Sequence, residues 1–179
     1  MDLATTFLAR SRYYLTQEYP TKLRAAVEAL PAEALWHRPD PQSNSVGNLL
    51  LHLSGNVRQW IVSGVGGEPA TRDRAAEFAR QDGPSAAELL TTLERTLDDA
   101  ANVLARLTVA DLGSTRTIQG RDLTVLEAVY HVVEHFALHL GQIILIAKAQ
   151  SPGAVRFYDD ADGRAVPLWP SLAKPPHGA

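Results

Sequence analysis

No cysteine occurs among the 179 residues of the chain. That absence rules out disulfides, thiolate metal ligands and cysteine nucleophiles, while leaving the compartment open, because a chain without thiols folds under any redox poise. An excess of positive charge is also missing: 17 Lys and Arg face 20 Asp and Glu, for a formal net charge of −3. With the basic residues scattered, no broad cationic surface exists for a phosphate backbone, and no nucleic-acid partner is expected. The opening Met1-Asp2-Leu3-Ala4-Thr5-Thr6 has neither the basic nor the apolar region of a secretory signal. A cytoplasmic location is the resulting expectation. No run reaches the ~18 uncharged apolar residues of a membrane span, and the segment around Ile143 is interrupted by Gln142 and Lys148. No membrane association is expected. Repeats at solenoid periods and low-complexity tracts are absent too.

What the chain does have is apolar content, 45%, enough for one compact domain with a substantial core. Its periodicity predicts an all-α protein, a four-helix bundle with short extra helices. The first helix covers about 3–30 and is kinked or restarted by Pro20. Residues 31–36 read as a short helical turn, closed by Pro39-Asp40-Pro41. Asn44-Ser45 supplies an N-cap for a second helix over 46–62, which carries His52 and is stopped by Gly64, Gly66 and Gly67. The polar stretch containing Arg72, Asp73, Arg74, Arg80, Gln81 and Asp82 predicts a short exposed helix and a loop rather than core. Ser85 with Glu88, and Thr124 with Glu127, are capping-box matches that open a third helix to about 107 and a fourth to about 148. Between them, 114–118 reads as a short extended piece. The bundle domain is expected over 1–152. Residues 153–179, rich in Pro, Gly and Asp, read as an irregular tail packed on or trailing from the same domain, with Phe157, Tyr158, Leu168 and Trp169 as candidate anchors.

His131, His135 and His139 recur every four residues along the fourth helix, and His52 lies alone in the second. Side chains four apart on an α-helix stack on one face, close enough for two imidazoles to hold one ion. All three of the row cannot share it, since His131 and His139 are separated by ~12 Å of helix rise. One outer histidine is therefore excluded, and the third ligand must come from a facing helix. His52 is the histidine embedded in another long amphipathic helix, whereas His37 and His177 lie beside prolines in loop-like sequence.

The segment Asn44-Ser-Val-Gly-Asn-Leu-Leu-Leu-His52-Leu-Ser-Gly-Asn56, followed by His131-Val-Val-Glu-His135-Phe-Ala-Leu-His139-Leu-Gly-Gln142, resembles the DinB/YfiT-like superfamily. The resemblance extends from the first helix to about Lys148. It implies an up-down-down-up four-helix bundle, commonly a homodimer, with a divalent metal held by His52, His135 and His139. His131 then lies one turn before the ligands and Gln142 nearby, both as candidate neighbours of the metal. That superfamily includes thiol-dependent S-transferases and metal-dependent hydrolases acting on small molecules, as well as members without known activity. The cofactors it implies are one divalent transition metal, Zn or Ni foremost, and a low-molecular-weight thiol as cosubstrate.

Each residue also has a plainer reading. A lone buried histidine is more often a hydrogen-bonded core residue than a ligand, but a row of imidazoles flanked by Val132, Val133, Phe136 and Leu138 would bury several polar groups in need of partners. Glu134 lies ~100° around the helix from His135 and suits a solvated face as well as a role near a metal. Gln142 could orient substrate or water, or close a polar layer. Asn48 and Asn56 flank His52 by one turn on either side. Three kinds of chemistry fit a three-imidazole site with an open position: hydrolysis, thiol transfer, or binding without catalysis. No HExxH helix supplies a general base for the first.

Overall fold

The computed structural model describes residues 2–159 and 163–167. Polar side chains set where its helices begin. Asp2 caps α1 (Leu3–Tyr13), Ser45 caps α3 (Val46–Val57), Asp73 caps α4 (Arg74–Ala79), Ser85 caps α5 (Ala86–Arg106) and Thr124 caps α6 (Val125–Gln150). Each accepts a backbone N–H that the first helical turn leaves without an internal partner. The first long helix does not break at Pro20. Instead α1 widens into a π-helical stretch, Tyr14–Glu18, and continues as α2 (Tyr19–Glu28), with Pro20 in the first turn of α2. The wider turn accommodates a residue that has no N–H to donate. A second π-helical stretch, Arg58–Val65, prolongs α3 to the glycines at 66 and 67.

The four long helices enclose one core. α3 packs against α5 and α6, α2 against α6, and the π-helical extension of α3 against both α5 and α6. Leu50, Leu53, Ile61, Leu93, Val129, Phe136 and Ile143 are among its most buried side chains. Tyr14, Tyr19 and Phe136 form a stacked column, with ring centroids 5.1 and 5.6 Å apart. By clamping Phe136 to the first helix, this column fixes the rotation of α6 beside His135. By length and composition α6 is long and apolar enough to cross a membrane, which the count of uninterrupted apolar residues did not indicate. The core helix of a globular bundle meets the same test.

Two elements depart from the sequence expectation. The extended piece at 114–118 is one strand of a hairpin: β1 (Thr115–Ile118) pairs antiparallel with β2 (Arg121–Thr124). Gln119 and Gly120 both take positive φ, 54° and 73°, as a tight two-residue hairpin turn requires. Beyond α6 the chain is not wholly irregular. The Ser151 hydroxyl donates to the Ala29 carbonyl at the end of α2, Val155 is buried, and β3 (Tyr158–Asp159) pairs antiparallel with β4 (Val166–Pro167). Phe157 packs on the core and Tyr158 stays exposed, while Leu168, Trp169 and His177 lie outside the described residues.

Candidate metal centre

His135 and His139 sit one turn apart on α6, and α3 brings His52 against them. The Nε2 of His135 lies 3.1 Å from that of His52 and 3.2 Å from that of His139. One ligand nitrogen from each of the three lies within 4.8 Å of the others. Two imidazole nitrogens bound to one tetrahedral ion at ~2.0–2.1 Å stand ~3.3 Å apart, which the two spacings about His135 match. His52 is buried, and the other two are half-buried. Among the described residues no fourth His, Asp or Glu joins the group.

The outer nitrogens explain why lone pairs converge. His139 Nδ1 donates to Gln142 Oε1 at 2.6 Å, leaving its Nε2 unprotonated. His52 Nδ1 lies 2.9 Å from Glu77 Oε2 and 2.9 Å from Arg72 Nη2. The guanidinium can only donate and the carboxylate only accept, so either tautomer finds a partner at Nδ1; the one that carries the proton there donates to Glu77 Oε2 and leaves the His52 Nε2 as an acceptor. His135 Nδ1 is buried without a protein partner. With His52 in that tautomer, the His135 Nε2 meets two acceptor nitrogens, and a single N–H there could satisfy only one of them. A cation at the shared point satisfies all three, and neutral imidazoles suit Zn, Ni, Fe and Cu alike.

Burial disfavours the charged form of the two α6 ligands. Burial, joined by the charges of His139, His52, His131 and Arg72, pushes His135 down to about 3. Burial likewise lowers His139 and outweighs the opposing hydrogen bond to Gln142. Neutral imidazole is the form that binds metal.

His131 is not a member of the group. Its ring lies against buried Trp60, centroids 4.1 Å apart, and its Nε2 faces Asn56 Nδ2 at 3.5 Å. The ring still neighbours His135, at 5.3 Å between centroids, so it walls the site. Gln142 does not reach out to a ligand but holds His139. Glu134 is exposed, as its plainer reading has it, and Arg58 pairs with Asp99 at the surface.

The polar stretch expected to be exposed contributes most of what supports His52. Arg72 and Glu77 are nearly buried, their side chains 7% and 10% exposed, and they pair through Arg72 Nε to Glu77 Oε1 at 2.6 Å and Nη2 to Oε2 at 2.7 Å. Burial pushes the Glu77 carboxyl up, but the hydrogen bonds and charges of Arg72 and His52 outweigh it and hold it below the usual range. Arg72 Nη1 donates to Gln59 Oε1, which also receives Gln119 at the hairpin tip. Asn48, besides closing the capping box with Ser45, donates to the Glu77 and Arg80 carbonyls at 2.9 and 2.8 Å. Arg38 binds the Phe78 and Arg80 carbonyls, and the Phe78 ring covers His52 at 4.6 Å. Gly55 makes room for the pair: a Cβ there would collide with Glu77 Oε1 and stand 2.8 Å from Arg72 Nε. Short α4 is thus pinned to α3 by its own carbonyls and presents a carboxylate to a histidine. Glu77 was missed in the sequence because it sits in six helical residues with no apolar repeat.

Comparison with known proteins agrees with this architecture. The crystal structure of a DinB-like protein from Bacillus cereus ATCC 10987 superposes with a TM-score of 0.62 at 18% sequence identity, covering 82% of this chain and 94% of that one. That degree of likeness shows the fold. No match was found among curated proteins. A family model described as "Protein of unknown function (DUF1572)" matches residues 2–156. The chain, a helical bundle of DinB-like fold, therefore belongs to the DUF1572 family.

Proposed function

We propose that the protein binds one divalent transition metal, zinc or nickel, through His52, His135 and His139 and works in the cytoplasm as a metal-dependent enzyme on a small-molecule substrate. The observation that carries this reading is the convergence of ring nitrogens from three histidines, with Gln142 accepting behind His139 and Glu77 placed to accept behind His52. Carboxylate or amide oxygens behind ligating histidines are the usual supports of catalytic and structural metal sites. A closed structural site would have a fourth protein ligand, whereas three leave a position for substrate. When bound there, such an ion supplies Lewis acidity, lowering the pKa of a coordinated water or thiol.

Thiol transfer is favoured over hydrolysis by the state of Glu77. This carboxylate is tied to Arg72 and His52 and is not free to take a proton from water. Attack by a low-molecular-weight thiol on an electrophilic carbon, in which the S–C bond forms as a leaving group departs with its electron pair, needs no such base at the site, because the thiol proton can leave to solvent. Metal analysis of untagged protein tests the centre: near-stoichiometric metal in the wild type, lost in His52→Ala and His135→Ala, is expected. Wild type that takes up neither zinc nor nickel, or variants that retain the metal, would overturn it. Turnover of electrophiles with thiols but not of esters or amides would then establish transfer, and inactivity with both would favour a metal- or ligand-binding bundle.

A further inference from the structure

The hairpin spans the groove between the two helices that carry the histidines: β1 packs against the π-helical extension of α3, and β2 against α6. Ile118 is buried where Gly64 leaves room for it, and Gln119 at the tip donates to Gln59. The tip thus reaches back along α3 from the level of Gly64 to that of Gln59, beside Trp60, whose ring lies against His131. Arg121 is the cross-strand partner of Ile118 and stands two residues before Leu123, which packs on the core. Cross-strand partners share a face of the ladder, as do residues two apart. Arg121 therefore projects from the face turned to the bundle, although it is exposed. Arg58 and Arg72 are paired with carboxylates, but among the described residues the Arg121 guanidinium has no hydrogen bond or ion pair. Its charge nevertheless reaches the site: burial lowers His131, Glu134 opposes that shift and Arg121 adds to it. Glu134 flanks the same ring from α6, yet the two do not pair.

We propose that Arg121 anchors a carboxylate on the small molecule that binds at the His52, His135 and His139 centre, so that the substrate or its thiol is a monoanionic acid; this rests on the metal reading of that centre. The planar fork of a guanidinium meets a carboxylate through two parallel N–H···O bonds. A single cation with Glu134 close by suits one negative charge better than the two of a phosphate, and Glu134 repels an acid that would enter along α6 and directs it to the hairpin. The reach is set by the helix. His131, at the level of the hairpin tip, lies six residues from the midpoint of His135 and His139, or ~9 Å of helix rise. A ligand with its sulfur at the centre and its carboxylate at Arg121 therefore needs a linear chain of about that length, running past His131 and the edge of Trp60. Arg121 touches no metal ligand through a hydrogen bond, so it selects among ligands without holding the ion.

Cobalt-loaded protein tests the anchor without turnover, because a thiol that binds the ion is read by its sulfur-to-cobalt charge-transfer absorption. Mercaptohexanoate and mercaptohexanol have the same chain and differ in the terminal charge. The wild type should bind the acid roughly tenfold or more tightly than the alcohol, and added salt should shrink that preference. Arg121→Gln should bring the two affinities to within about twofold while leaving cobalt affinity and the circular dichroism spectrum unchanged, and Arg121→Lys should keep part of the preference, since it retains the charge but not the fork. Equal affinities in the wild type, or a preference that Arg121→Gln leaves intact, would overturn the anchor and leave the metal centre standing. Failure of the wild type to take up cobalt, zinc or nickel would overturn the centre and the anchor with it.

Discussion

Glu77→Gln is the most informative single change in this molecule. It keeps the shape of the side chain and one acceptor oxygen, but removes the charge between His52 and Arg72. Both members of the ion pair are about nine-tenths buried, so screening by water is weak. Removing one partner from a buried pair costs about 3–5 kcal/mol, because the surviving charge stays desolvated. The retained amide oxygen offsets part of that, which puts the loss of unfolding free energy at about 3 kcal/mol. The second effect falls on His52. An amide oxygen holds the Nδ1 proton less firmly than a carboxylate, and an amide that rotates its NH₂ toward Nδ1 would favour the wrong tautomer. Loss of such an outer support lowers metal affinity by roughly 10–100-fold, or about 1.4–2.7 kcal/mol. Zinc affinity measured by competition with a chromophoric chelator, and denaturant unfolding of the metal-free protein, read the two effects separately. If Glu77→Gln binds zinc within about twofold of wild type and unfolds within about 0.5 kcal/mol of it, the carboxylate neither orients His52 nor pins α4.

Gly55→Ala should behave opposite to an ordinary helix substitution. At an exposed helical site the change would stabilise by up to about 1 kcal/mol, but here the new methyl collides with the Arg72–Glu77 pair. A lower melting temperature together with weaker zinc binding is expected, and a stabilised variant with unchanged zinc affinity would refute the tight fit. The metal-free protein should also be sensitive to acid. His135 is held at about 3 in the fold, chiefly by burial, against ~6.5 in an unfolded chain. The unfolded state therefore binds more protons between those values, and stability that is complete above pH ~6.5 falls as pH drops toward 3. Thermal melts of chelator-treated wild type and His135→Ala across that range should converge at low pH. Parallel curves would contradict the neutral, buried ring.

Much of the fold was legible because its signals are local. Ser85 with Glu88 and Thr124 with Glu127 announce helix starts through bonds made within four residues, and both capping boxes form. The histidine row was legible for the same reason, since i,i+4 stacking is set by the helix itself. Its partition into two neighbours of His52 and one wall residue follows from rotation and packing. Phe136 locks α6 by stacking on Tyr19, and Trp60 occupies the face of His131. Hairpin strand β2 escaped notice because Thr124 serves twice, ending the strand and capping the helix.

The support of His52 was illegible for a different reason, and that reason bears on how the site works. Arg72, Asp73, Arg74 and Glu77 have the composition of a solvated loop, and by periodicity nothing marks two of them as buried. Their burial depends on contacts across the chain: Asn48 and Arg38 grip the carbonyls of α4, Gln59 takes one edge of the guanidinium, and Gly55 vacates the space the pair fills. A sequence signal existed only in Asn48 and Gly55, one turn before and nearly one turn after His52, where α3 gives up packing side chains for an amide and a void. A short helix whose six residues bury no apolar side chain gains little from its own hydrophobic contacts. It remains docked through polar contacts to α3 and to Arg38, and the same contacts aim His52. In such an arrangement metal binding and docking of α4 are coupled, because each favours the Nδ1-protonated form of one imidazole. Metal should therefore protect the backbone amides of α4 from hydrogen exchange well beyond those of α5, which among the described residues makes no hydrogen bond or ion pair to Glu77 or the histidines. Equal protection of the two helices would separate the carboxylate from the centre it faces.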